Sequence, residues 1–187
     1  MPKLLIIIAS TRPGRVGLPV GRWFRDQAVL HGGFEVRVAD LAEINLPFMD
    51  EPSHPRMRKY THPHTKAWSA RVEAADAFVL VMPEYNFGYT APLKNALDYL
   101  YHEWVHKAVG LVSYGAIAGG TRAQQLLRPV LNYLYMVPAT EAVIIPFVSR
   151  FINDQGVFVP DERVQNSVKV MLDEILELDR ALRTLRN

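Results

Sequence analysis

The chain is 187 residues long, a length that suits one domain with a full core. Its 49% hydrophobic and 21% charged content is ordinary for a globular protein, and a net charge of +2 gives no argument for nucleic acid or a membrane surface as partner. The absence of cysteine excludes disulfides, thiol catalysis and thiolate metal sites, so any redox chemistry has to come from a bound cofactor. No apolar run approaches the length of a membrane span, and the N-terminus enters a strand at once. A cytoplasmic protein is therefore expected.

Leu4–Ala9 is a continuous apolar run rich in isoleucine, as in a strand covered on both faces. A turn over Ser10–Gly17 follows, and apolar residues at Val16, Val20, Trp23/Phe24 and Ala28 predict a helix that Gly32-Gly33 ends. In Phe34–Asp40 apolar and charged residues alternate, which suits an edge strand. Leu41–Thr65, punctuated by Pro47, Pro55 and Pro63, reads as a long loop of the kind that often carries function. A short helix capped by Thr65 is expected next, with Trp68 and Val72 inward.

Ala77–Met82 predicts a buried third strand, broken at Pro83. Its polar, aromatic loop leads into a helix with Leu93, Leu97, Leu100/Tyr101 and Trp104 on one face and Lys94, Asn95, Asp98 and Glu103 on the other. Lys107–Ser113 predicts a fourth strand. Thr121 and Gln124 then have the spacing of a capping box for a helix bearing Leu127, Val130, Leu131 and Leu134, with Pro129 placed to kink it. Ala142–Phe147 fits a fifth strand, and Val164 to Leu185 a final amphipathic helix. Strands alternating with helices predict a doubly wound α/β domain over residues 1–187 with a five-stranded parallel sheet. The edge character of the second strand favours the order 2-1-3-4-5.

In that order the loops after strands 1, 3 and 4 converge on one rim, where open α/β sheets bind ligands. Ser10–Gly17 offers hydroxyls, two arginines and two glycines at a helix N-terminus, a combination suited to an anion. It is neither a Walker A loop nor a GxGxxG fingerprint. Pro83–Ala91 sets Tyr85, Phe87 and Tyr89 beside Glu84 and Asn86, which suits a planar heteroaromatic ligand. Ser113–Gly120, with three glycines, lets backbone amides come close to a ligand. Each loop alone is compatible with a structural turn; together they indicate a phosphate-plus-ring site. His54, His62 and His64 lack the helical spacing and carboxylate frame of a metal site, so no metal is expected. No G-x-S-x-G elbow surrounds Ser10, which argues against a serine hydrolase.

The segments Ser10-Thr-Arg-Pro-Gly-Arg15, Pro83-Glu-Tyr-Asn86, Leu93-Lys-Asn-Ala96 and Ser113-Tyr-Gly115 with Gly119-Gly-Thr-Arg122 resemble the NADPH-dependent FMN reductase family, the flavodoxin-like group that includes quinone, azo-dye and chromate reductases. The resemblance implies a flavodoxin-like fold, bound FMN, NADPH or NADH as hydride donor, a small-molecule electron acceptor and a ping-pong cycle. Carried over by position, Ser10, Arg12, Arg15 and the amides of Val16 and Gly17 hold the FMN phosphate. Pro83, Glu84, Tyr85 and Asn86 line the isoalloxazine, and Ser113, Tyr114 and Gly115 meet its pyrimidine edge. The amides of Tyr114, Gly115 and Ala116 stabilise charge on the reduced ring, and no side chain acts as an obligatory acid or base. The helix after PEYN implies a homodimer or homotetramer. Two alternatives stand beside this reading: a non-catalytic flavodoxin-type electron carrier and a flavin-free nucleotide-binding regulatory module. Ala9, Arg15 and Ala116 depart from the family's usual glycine, hydroxyl and glycine.

Overall fold

A computed structural model describes residues 1–186. Its strands are β1 (Lys3–Ile8), β2 (Glu35–Asp40), β3 (Ala77–Pro83), β4 (Ala108–Tyr114), β5 (Val137–Pro138) and β6 (Val143–Ile145). Its α-helices are α1 (Gly17–His31), α2 (Leu41–Ile44), α3 (Pro63–Glu73), α4 (Ala91–Asp98), α5 (Thr121–Tyr133) and α6 (Glu162–Arg186). The sheet is parallel with the order β2-β1-β3-β4-β5, and β6 also pairs with β4. The predicted flavodoxin-like doubly wound topology is therefore the observed one, with β1 and β3 flanking the point where the strand order reverses.

Alternate side chains of the central strands feed two cores. Leu5, Ile7, Phe78, Leu80 and Met82 meet Trp68, Leu93, Leu97, Leu127 and Leu131 from α3, α4 and α5. Leu4, Ile6, Val79 and Val81 meet Val20 and Phe24 of α1 and Val164, Val168 and Ile175 of α6. Every residue of β3 and β4 is buried, which accounts for their unbroken apolar sequences. At the edge, β2 is buried only at Ala39 and Asp40, and Val38 is exposed.

Several local expectations differ from the structure. The helix after the third strand ends at Asp98, six residues short of Trp104. The indole N–H groups of Trp68 and Trp104 donate to the carbonyls of Ala96 (2.9 Å) and Leu97 (3.2 Å), the acceptors a longer helix would use. Glu103, read as surface, is buried and accepts from the hydroxyls of Tyr60 and Ser69 at 2.9 and 2.7 Å. Helix α3 opens at Pro63, with Thr65 inside it; its cap position, His62, makes no side-chain cap hydrogen bond, and the chain entering it is held by the carboxylate of Glu51. That group receives the amides of Thr61 and His62 at 2.8 and 2.9 Å.

Helix α5 has no capping box. Gly120, in the left-handed region at φ +89°, occupies the cap position, and Thr121 Oγ1 donates instead to Ala118 O. The fifth strand is split in two, because the amides of Thr140 and Glu141 turn away to the Glu174 carboxylate of α6 at 2.8 and 2.9 Å. Inside Leu41–Thr65, α2 and a turn of 3₁₀ helix over Pro55–Met57 give the expected loop more order than its prolines suggested.

Candidate functional site

The loop between β1 and α1 is built around an uncapped helix start. Val16 stands at the cap position with no side-chain hydrogen bond, and the first turn of α1 holds no acidic residue. The amides of Val16, Gly17 and Leu18 have no backbone partner among the described residues. Beneath that turn lie the hydroxyls of Ser10 and Tyr114, both buried and both without a hydrogen-bond partner. A β-carbon on Gly17 would sit 2.1 Å from Ser10 Oγ and 2.3 Å from Tyr114 Oη, so this packing requires glycine. Burial pushes the Tyr114 phenol well above its ordinary value of 10, keeping it a neutral donor. Three free amides at a helix dipole's positive end, beside two hydroxyls, form a cradle for an anion.

The two arginines of this loop have different roles. Arg12 is exposed. Arg15 forms a two-pronged ion pair with Asp40 at the end of β2, both contacts at 2.6 Å, and also donates to Ser10 O at 2.7 Å. Hydrogen bonding to Asp40 outweighs burial and raises the pKa of Arg15 above its ordinary value. The guanidinium of Arg15, expected at a phosphate, is paired with Asp40 and staples the loop to the sheet.

The loop after β3 makes a tight hairpin turn in which Tyr85 and Gly88 exchange both backbone hydrogen bonds at 2.9 Å. Asn86 and Phe87 occupy its two central positions at φ +49° and +71°, as a type I′ turn demands. Pro83 is buried, whereas Tyr85, Asn86 and Phe87 are exposed at the rim. Glu84 is half-buried. Its carboxylate accepts from the Arg122 side chain at 2.9 Å and the Arg122 amide at 3.2 Å, and so caps α5. Only the backbone of Glu84 faces the neighbouring strand end, donating to Tyr114 O at 3.0 Å.

In the loop after β4, the fully buried Ser113 hydroxyl donates to Gly119 O at 2.8 Å and accepts from Gln124 Nε2 at 2.7 Å. With both partners in place, the Ser113 hydroxyl holds the shape of the loop. The Gly115 amide is taken by Ile145 O at 3.3 Å, and Tyr114 lies in the ladder opposite Pro83 and Ile145. Of the amides expected to stabilise charge, that of Ala116 is left without a backbone partner among the described residues, and those of Ile117 and Ala118 join it.

The sequence matches the family model described as NADPH-dependent FMN reductase over residues 2–149. The chain belongs to the NADPH-dependent FMN reductase family. An NAD(P)H-dependent FMN reductase of Schizosaccharomyces pombe is 42% identical over 149 residues, 78% of this chain and 74% of its own. A second, from Saccharomyces cerevisiae, is 33% identical over 198 residues and covers 99% of each chain. Among solved structures, a flavoenzyme NAD(P)H:(acceptor) oxidoreductase of Paracoccus denitrificans superposes with a TM-score of 0.74 at 19% identity, covering 97% of this chain and 98% of that one. The family is one of oxidoreductases whose cofactors are FMN and NAD(P)H.

The residues present fit FMN. The orphaned hydroxyls of Ser10 and Tyr114, the glycine-dependent cradle at Gly17 and the uncapped start of α1 suit the phosphate of this family's cofactor. On the far side of Thr11, a cavity of about 480 Å³ opens between α2, the Leu46–Phe48 segment and the start of α4. Asn95 and Tyr99 hold that segment: Asn95 Nδ2 and Tyr99 Oη donate to Pro47 O at 2.7 and 3.1 Å. Residues overlooked in the sequence include Gln124, visible only as half of an apparent capping box, and Arg122, whose partner Glu84 lies 38 positions earlier. Asp98 pairs with Lys94 on the same helix. His64 pairs with Asp50 Oδ1 at 2.9 Å, and no group of three metal-ligating side chains occurs among the described residues.

Proposed function

We propose that this protein is an FMN-dependent NAD(P)H oxidoreductase that passes electrons to flavin, quinone or similar small acceptors. The observation that carries the assignment of the site is the pair of unpartnered hydroxyls beneath the uncapped first turn of α1. When bound, FMN supplies the redox chemistry, accepting hydride from NAD(P)H and returning electrons to a second substrate in a ping-pong cycle. The chain's own residues bind and orient. Arg12 and the amides of Val16, Gly17 and Leu18 hold the phosphate, with Ser10 and Tyr114 as neutral donors. Arg15 keeps the loop closed through Asp40.

Pro83 and the hairpin at Tyr85–Gly88 wall the ring. The amides of Ala116, Ile117 and Ala118 are the donors available to negative charge on it, acting as an oxyanion hole does. No side chain is required to move a proton. The acceptor's identity is set by the loop that frames the rim, and the chain assembles as a homodimer or homotetramer through the α4 region. Initial rates measured against both substrates test the cycle. Double-reciprocal lines that stay parallel as the acceptor varies support ping-pong, and lines that converge contradict it.

A further inference from the structure

Two phenylalanines stand in the left-handed backbone region, Phe87 at φ +71° and Phe147 at φ +50°. Bulky side chains rarely adopt that conformation, and such strain gathers at functional sites. Both are exposed, at 62% and 39%. Both also lie under an arginine: the Arg122 guanidinium is 4.2 Å from the Phe87 ring centre and that of Arg150 4.5 Å from the Phe147 ring centre. The two pairs flank the same loop, residues 115–120. Arg122 is fixed by Glu84 immediately beyond it, while the amides of Phe147 and Val148 donate to Ala116 O and Gly115 O at 3.0 and 3.2 Å. The loop that carries the free amides assigned above to the reduced ring is thus followed directly by the arginine of one pair and bonded through its carbonyls to the backbone of the other.

The two pairs differ in charge. Arg122 is neutralised by Glu84, so it holds Phe87 in place, whereas Arg150 forms no ion pair among the described residues. Resting on the proposed reductase function, we infer that this rim is a specificity site for planar electron acceptors bearing an anionic substituent, such as a sulfonate or carboxylate on a fused ring. Phe87 and Phe147 supply the stacking faces, Arg150 reads the charge, and Arg122 is a positioning residue for Phe87. A single uncompensated cation matches a small anionic ring better than a dinucleotide, whose several phosphates need several partners.

Binding of 2-naphthalenesulfonate and of its neutral counterpart 2-naphthamide, titrated against the protein as purified, tests the inference. The sulfonate should bind about fivefold tighter, the preference expected of one exposed ion pair, and added salt should erase it. Arg150→Gln should bring the ratio of the two dissociation constants to about one. Arg122→Gln should weaken both probes and leave the ratio intact. A ratio that Arg150→Gln does not change overturns the inference. So does a loss in Arg150→Gln confined to NADPH binding, which would assign the cation to the hydride donor. FMN content measured on the same samples keeps the two questions apart, because a protein that takes up no FMN defeats the reductase reading while the sulfonate ratio still judges the rim.

Discussion

Replacing Gly17 with alanine tests the anion cradle directly. The new methyl would meet Ser10 Oγ at 2.1 Å, Tyr114 Oη at 2.3 Å and Ser10 Cβ at 3.1 Å. Ser10 is fully buried and Tyr114 only 3% exposed, so neither side chain can swing clear and the first turn of α1 has to move outward. Overpacking of this kind costs about 1–3 kcal/mol, and alanine's helix propensity returns at most about 1 kcal/mol. The remaining loss, up to about 2 kcal/mol, corresponds to a fall in Tm of up to about 8 °C for a chain of this size. The displaced turn carries the amides of Val16, Gly17 and Leu18 away from the two hydroxyls, and FMN affinity should drop at least about tenfold, the equivalent of one charge-assisted hydrogen bond. Thermal unfolding of the flavin-free protein and titration of flavin fluorescence give the two readouts. A variant that melts with the wild type and binds FMN with the same Kd would refute the cradle.

The two arginines of the same loop should separate cleanly. Arg12→Ala should raise the Kd for FMN by about tenfold or more while leaving the Tm of the flavin-free protein close to wild type, because Arg12 is exposed. Arg15→Ala strands Asp40, which is 5% exposed, and should cost about 1–3 kcal/mol of stability before any effect on FMN, measurable by urea unfolding. For Glu51, burial raises the pKa, but hydrogen bonds from Thr61 and His62 more than reverse this and bring it from 4.5 to about 2. A depressed folded-state pKa gives stability that is present above 4.5 and is lost as pH falls toward about 2. The Tm gap between wild type and Glu51→Gln should therefore narrow across that window. A gap that stays constant there would show that the carboxylate's charge is not what holds the chain entering α3.

Much of the fold was legible because periodicity and burial agree. The unbroken apolar runs of β1, β3 and β4, set against the alternating β2, were enough to order the sheet. What misled were groups whose partners are distant in sequence. Arg15 looked like a phosphate ligand because Asp40 lies 25 residues away. Once the strand order is known, the pairing of Ile8 with Asp40 places that carboxylate beside the loop. Apolar spacing carried the α4 helix on to Trp104, since nothing local announces that two indoles will claim its last carbonyls. Ser113 read as a ligand-facing hydroxyl until Gln124, one turn into α5, was seen to hold it. At the cradle, Ser10 and Gly17 stand in one local stretch, whereas the Tyr114 hydroxyl reaches it from the end of β4, which no local pattern announces.

The central claim, that the loops at the carboxyl ends of β1, β3 and β4 hold a redox-active FMN, is tested most directly by the visible spectrum of the purified protein, recorded anaerobically before and after NADPH or NADH. The account predicts a yellow protein, or a colourless one that turns yellow with one equivalent of added FMN, which either dinucleotide or both then bleach. A protein that binds no FMN, or whose bound FMN neither dinucleotide reduces, would contradict it.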